Sequence, residues 1–388
     1  MRVTGEASKM KLINHQLKKY EELVSLMENQ EFHADIHDAL DHHFEVLVMG
    51  TMSAGKSTLL NAMLGIDLLP SCNEACTSIV YCLEDHDGMD EFRCRAVVAE
   101  SITDWQPATP EVLSGWNTGG LCSNVEVEGD MPFIKNLGAR LVLYDTPGPN
   151  NSRDERHAQV LRNMMQNQEY GLVIFLLSGT NVSTTDESIL LAELQKLYKK
   201  SSRSKKEILF VLNKVDEIDE GNGESLQQLM ANVKSYLKDV GFANPTVIPT
   251  MAHAAKLFRL AARGEHLTRH QRMELSSQLD MLKVDPFRLL KITQLDNEIY
   301  MEIENGIKGK GHSLLHKLPG HNKDSSIKVG NQIITRSELE QAVYSTGIHT
   351  IETILEKMIY KRALPETMKR VSTIMRKHGA KLLNQWLK

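Results

Sequence analysis

An α/β fold built on a mainly parallel sheet is what these 388 residues predict, on two observations. Short apolar runs alternate with amphipathic helical stretches through the middle of the chain. The first of those runs ends in a glycine-rich turn that opens a helix. Parallel neighbours need crossover connections, so strands separated by helices imply a sheet covered on both faces.

The elements follow in order. Residues 6–29 read as a helix, because Met10, Ile13, Leu17, Tyr20, Val24 and Met27 recur three and four apart along one seam. A second helical stretch carries Phe32, Ile36 and Leu40 on one face. Phe44–Met49 is an apolar strand, and Ser57–Leu64 is the helix after its turn. Strands are expected at Ile79–Leu83, Phe92–Val98, Asn124–Val127, Arg140–Tyr144, Leu172–Leu177, Ile208–Leu212 and Thr246–Ile248. Helices are expected at Arg153–Gln166, Glu187–Lys199 and Leu226–Val240. The Gly-, Lys-, His- and Ser-rich stretch Gly309–Lys328 reads as a mobile loop. Ile348–Tyr360 is a further amphipathic helix, and Pro365 sits just inside the start of a last one. There Leu364, Met368, Val371, Met375, Leu382 and Trp386 form a second long seam. The first and last helices each lack a partner nearby in sequence, so they are expected to pack on each other.

Composition narrows the function classes. With 41% hydrophobic residues the chain can fill a core, and a net charge of −5 supplies no global basic field for nucleic acid or anionic lipid. No apolar run is long enough to span a bilayer, so membrane contact is expected to be peripheral. The five cysteines form no CxxC pair, which favours free cytosolic thiols over a zinc site.

Three motifs carry the chemistry. Gly50-Thr-Met-Ser-Ala-Gly55-Lys56-Ser57 is a phosphate-binding loop between a predicted strand and a predicted helix. The backbone of Met52, Ser53, Ala54, Gly55 and Thr58 surrounds the phosphates, Lys56 reaches the β- and γ-phosphates, and Ser57 ligates Mg²⁺. Asp145-Thr-Pro-Gly148 ends another strand, with Asp145 holding Mg²⁺ through water and the Gly148 N–H meeting the γ-phosphate. Asn213-Lys214-Val-Asp216 follows a third strand. A carboxylate at Asp216 accepts from N1–H and the exocyclic amine of guanine, a donor pair that adenine lacks. The expected ligands are therefore GTP and GDP. Thr77 is the candidate to complete the Mg²⁺ shell, with Ser78 and Ser71 as alternatives, and the Ala252 N–H is placed to bind the guanine oxygen. No glutamine follows Gly148 to orient the attacking water.

On Gly50–Leu64, Thr77, Asp145–Asn150 and Asn213–Asp216 the chain resembles the dynamin superfamily, and in particular its bacterial dynamin-like GTPases. The resemblance implies catalytic roles for Ser53, Lys56 and Thr77, with Ser53 helping to hold a monovalent cation, K⁺ or Na⁺. It also implies a homodimer through the G domains, braced by Glu217–Gly221, and a neck made from helices at both ends of the chain that hinges near Leu364-Pro365. The expected division is 1–43 for N-terminal neck helices, 44–362 for the GTPase domain and 363–388 for the C-terminal neck helix. The function implied is Mg²⁺-dependent GTP hydrolysis coupled to membrane remodelling or scaffold assembly in the cytoplasm, with a membrane or a stalk-bearing chain as partner and no nucleic acid. Met251 stands where a serine is usual, and Gly309–Ser337 is an insertion. The alternative is a regulatory switch of the small-GTPase or ribosome-assembly kind that acts by partner binding.

Overall fold

The computed structural model describes residues 30–70, 79–98, 101–119, 122, 124–136, 139–147, 159, 161–165, 170–200, 207–218, 223, 225–318, 326–329 and 332–386. The expected helix over 6–29, Thr77 and its alternatives Ser71 and Ser78, Gly148, and most of the Glu217–Gly221 loop lie outside them.

The chain forms two compact units, one of residues 44–136 and 141–357 and the other of 1–43, 137–140 and 358–388. The larger holds the sheet. Its strands are β1 (His43–Gly50), β2 (Val80–Asp85), β3 (Arg93–Val98), the two-residue β4 (Ser101–Ile102) and β5 (Gln106–Pro107), β6 (Asn124–Gly129), β7 (Arg140–Asp145), β8 (Leu172–Ser178), β9 (Glu207–Asn213) and β10 (Thr246–Thr250). They run in the order β10-β9-β8-β1-β7-β2-β6-β3-β4, with β5 beside β3. Pairings β10–β9, β9–β8 and β8–β1 are parallel, as the alternating pattern predicts. Beyond β7 the sheet is mixed, because β2 runs antiparallel to β7 while pairing parallel with β6. All seven residues of β8 are buried, as expected for a central strand covered on both faces.

Each strand anticipated from an apolar run is present, displaced by one or two residues at its ends. The helices after β10 were not anticipated individually: α6 (Ala252–Arg263), α7 (Arg269–Val284) and α9 (Asn297–Ile307), with the short α8 (Arg288–Ile292) between them. They follow α2 (Lys56–Leu64), α3 (Pro110–Gly119), α4 (Thr185–Lys200) and α5 (Leu226–Val240). Part of the stretch read as a loop is ordered, with a 3-10 turn at Leu315–Lys317 and a hairpin of β11 (Ile327–Val329) and β12 (Gln332–Ile334).

α10 (Arg336–Ser345) and α11 (Ile348–Met358) follow. A π turn over Ile359–Ala363 then leads into α12 (Leu364–Trp386). Pro365 sits just inside the start of α12, as expected. The chain stays helical through it, and the wide turn lies where the Pro365 ring would otherwise crowd the carbonyl four residues earlier.

In the smaller unit, α12 packs on α1 (Gln30–Leu40), the described part of the N-terminal region. The apolar seam expected between residues 6–29 and this helix lies outside the described residues, and the contact with α1 is largely polar. His378 is buried, with its ring 5.4 Å from that of Phe32 and its Nε2 2.8 Å from Asp35 Oδ2. Lys377 Nζ donates to the same carboxylate at 2.9 Å. Met368 and Met375, expected on the seam, are 64% and 42% exposed. The covered face instead runs through Ala363, Thr367 and His378. No helix among the described residues is long and apolar enough to cross a membrane.

Candidate nucleotide site

The three motifs come together at the carboxyl ends of β1, β7 and β9, where parallel sheets place ligand loops. Gly50 closes β1 against β8, where a β-carbon would stand 2.7 Å from the Leu176 carbonyl oxygen. Gly55 caps α2 with φ of 94°, and a β-carbon there would meet Asn213 Nδ2 at 2.3 Å. Both positions therefore exclude a side chain. Ser53 is exposed at the tip of the loop, in the left-handed region at φ 62°, between the half-buried Met52 and the buried Ala54. Thr58 lies in the first turn of α2, whose free N–H groups and dipole favour an anion.

Lys56 is buried beneath the loop, and its Nζ donates to the carbonyls of Gly50 and Thr51 at 3.1 Å each. Burial lowers its pKa, and the nearby Asp145 carboxylate opposes that shift. Ser57 Oγ donates to Asp145 Oδ2 at 2.7 Å. Asp145 is fully buried and its Oδ1 has no hydrogen-bond partner. Burial raises the Asp145 pKa, while Lys56 and Ser57 pull it down. A buried carboxylate with an orphan oxygen, touching a hydroxyl at the start of a phosphate-binding helix, is a donor set that fits a hard divalent cation such as Mg²⁺. Ser57 and Asp145 would hold it. Thr146 Oγ1 donates to the Val48 carbonyl at 2.8 Å, which fixes the departure of the chain from β7.

Asn213 ties the loops to one another. Its Nδ2 donates to the Ala54 carbonyl at 3.0 Å, and its Oδ1 accepts from the Ala252 N–H at 3.1 Å. The phosphate loop, the end of β9 and the start of α6 are thus joined through one buried side chain. Lys214 adopts the left-handed conformation at φ 64° and opens a 3-10 turn, Val215–Glu217, that carries Asp216. Burial raises the pKa of Asp216. Met251, in the place of the usual serine, is buried and donates its N–H to the Thr346 carbonyl at 2.9 Å. Its role is therefore backbone placement of the Ala252 loop.

Two supporting groups have no motif to announce them. Asn61 in α2 is buried and fully satisfied, donating to Asp67 Oδ1 and the Leu69 carbonyl and accepting from the N–H groups of Leu68 and Leu69. It thereby fixes the chain just before residues 71–78. Arg259 on α6 is fully buried, donates to the Ala62 carbonyl at 2.6 Å, and stacks 3.5 Å above the Phe133 ring. A buried arginine cannot be foreseen from a helix pattern, which treats arginine as a surface residue.

Comparison with known proteins finds one family match and several distant structural similarities. The dynamin family model matches residues 46–111, from β1 through the start of α3. No curated protein matches the chain in sequence. Two solved chains of an oligomerised bacterial dynamin pair, described as a mechanism for long-range sensing and tethering of membranes, are each 17% identical to it, with TM-scores of 0.45 and 0.41. The first similarity covers 76% of this chain and 49% of that one, and the second 78% and 47%. Era in complex with MgGDPNP and nucleotides 1506–1542 of 16S ribosomal RNA is 15% identical at a TM-score of 0.30, over 55% of this chain and 52% of its own. The chain thus spans about half the length of each of these structures. The family match is thus confined to the phosphate-binding segment and the strands that follow it, residues 46–111.

Proposed function

We propose that the chain binds GTP across the Gly50–Ser57 loop, Asp145 and Asn213–Asp216, and hydrolyses it to GDP and phosphate with Mg²⁺. The supporting observation is the Asn213 bridge, which locks phosphate loop and base loop into one site of fixed span. Asp216 receives the guanine edge; the Ala252 N–H, expected to meet the guanine oxygen, is instead committed to Asn213 Oδ1 and braces the base loop. Mg²⁺, when bound, supplies charge compensation at the β- and γ-phosphates. Lys56 changes partners in the loaded site, leaving the Gly50 and Thr51 carbonyls for phosphate oxygens. Its buried ammonium then acts on developing charge with little water to screen it.

No glutamine follows Asp145–Gly148, and no arginine lies in the phosphate loop. Transition-state charge must still be compensated. A second copy of the G domain closing over the nucleotide meets that need: it excludes water and lets Ser53 hold a K⁺ or Na⁺ ion at the exposed tip of the loop. Thr77 completes the clamp on the γ-phosphate. Hydrolysis then moves the helical neck about the turn at Ile359–Ala363, driving membrane remodelling or scaffold assembly at a peripheral membrane site.

The test is turnover per molecule across a hundredfold range of protein concentration, with the mass of the GDP–aluminium fluoride state measured by light scattering. Rising specific activity and a dimer in that state support the proposal. Flat activity from a monomer refutes the pairing.

A further inference from the structure

Asp216 has a neighbour that no motif includes. The helix α7, Arg269–Val284, begins with a capping box in which Thr268 and Gln271 satisfy each other's backbone, and it buries Leu275, Leu279 and Leu282. That buried face fixes the rotation of the helix. Gln278, three residues after Leu275 and one before Leu279, is held at the flank of the face, and its Nε2 donates to Asp216 Oδ2 at 3.0 Å.

The other end of the same amide is the informative one. Gln278 Oε1 is buried and has no hydrogen-bond partner. Turning the amide over does not cure this, because Oε1 would then face the Asp216 carboxylate, acceptor against acceptor. With Nε2 committed to Asp216, the orphan oxygen is a fixed acceptor beside the carboxylate expected to read the base. Buried acceptors are rarely left without a donor, so one that converges on a binding residue marks the place of a ligand N–H.

We infer that Gln278 is a specificity-determining residue of the base site, with Oε1 accepting from the exocyclic amine of guanine. This rests on the reading that Asp216 receives guanine. The exocyclic amine carries two hydrogens. Asp216 takes one of them together with N1–H, and the second is free for Gln278 Oε1. The amine, Asp216 Oδ2 and the Gln278 amide then close a ring of hydrogen bonds that gives Gln278 Oε1 its donor. Hypoxanthine keeps N1–H but lacks the amine. It therefore satisfies Asp216 in part and leaves Gln278 Oε1 unpaired, and a site with a stranded buried acceptor discriminates strongly against the analogue that strands it.

The test is displacement of a fluorescent GDP analogue by GDP and by IDP, on the full chain and on Gln278→Met and Gln278→Ala. Methionine keeps the length and apolar stem without the amide, and alanine serves if methionine does not pack. The wild type is expected to prefer GDP over IDP by more than tenfold. In either variant the affinity for GDP should fall about tenfold while that for IDP changes little, so the preference shrinks toward the part owed to Asp216 alone. Equal preference in wild type and variants overturns the role of Gln278. So does tighter binding of both nucleotides in the variants, the outcome expected of a side chain that merely plugs the site. Asp216→Asn is the separate control. A shift of that variant toward xanthine nucleotides upholds the reading of Asp216 whatever Gln278 does, and no shift refutes that reading first.

Discussion

The Arg259 guanidinium makes two hydrogen bonds, of 2.6 and 2.9 Å, to the Glu352 carboxylate, and neither side chain is exposed. The pair links α6, which begins at the base loop, to α11, which leads into the π turn. The same arginine holds the carbonyl of Ala62 near the end of the phosphate-loop helix. Breaking one partner strands a charge in the core. Glu352→Ala should therefore destabilise the protein by about 3–5 kcal/mol, and Arg259→Met paired with Glu352→Leu by much less. Urea denaturation of the single and double variants checks this, and equal losses would place the cost in packing alone.

The same cluster makes stability depend on pH in opposite senses. His349 is buried against the Tyr344 ring, 3.1 Å from Glu352 and 3.4 Å from Glu302. Burial works against the charged imidazole, but Glu302 and Glu352 outweigh it and its pKa is raised above 6.5. Its contribution is full below 6.5 and is lost as pH rises through the folded value. Burial would raise the Glu352 pKa, but Arg259 and His349 outweigh it and the pKa falls below 4.5. That contribution is present above 4.5 and is lost as pH falls through the folded value. His349→Gln should accordingly cost stability near neutral and acidic pH and cost less as pH rises. Denaturation midpoints of wild type and variant across the neutral to alkaline range measure it. A difference that stays constant with pH would mean the ring is neutral throughout.

Asn213→Ala removes both bonds that tie the phosphate loop to the base loop. At roughly 1 kcal/mol or more for each buried bond, nucleotide affinity should fall about 10- to 100-fold. Titration with a fluorescent GDP analogue reads this directly, and unchanged affinity would make the bridge incidental to binding.

Gly55→Ala tests the loop itself. The backbone there has φ of 94°, and the added carbon would lie 2.3 Å from Asn213 Nδ2. The loop must shift or Asn213 must leave, so binding should weaken by at least about 100-fold while the fold loses only about 1–3 kcal/mol. A variant that melts early and binds normally would contradict the geometry.

Gly50–Ser57, Asp145 and Asn213–Asp216 were legible in the sequence because each follows an apolar strand, and strand ends at the carboxyl edge of a parallel sheet converge. Burial of β8 was legible for the same reason, through its unbroken apolar run. Gln278, Arg259 and Glu352 were not. They lie on helices whose polar residues usually face water, and only tertiary packing turns those positions inward. Met368 and Met375 are exposed, and the partner expected for their seam, residues 6–29, lies outside the described residues. Their apolar spacing is regular, but His378 and Lys377, hydrogen-bonded to Asp35, put the adjoining face toward α1. The antiparallel run of β2 beside β7 was hidden because strand direction has no signature in composition.

Hydrolysis of guanine nucleotide at this site is tested most directly by phosphate release from GTP and from ATP with Mg²⁺, by wild type and by Lys56→Ala. Release from GTP by the wild type, negligible release from ATP, and none by the variant, whose buried ammonium is gone, are expected. Equal release from ATP, or full GTP turnover by Lys56→Ala, would contradict it.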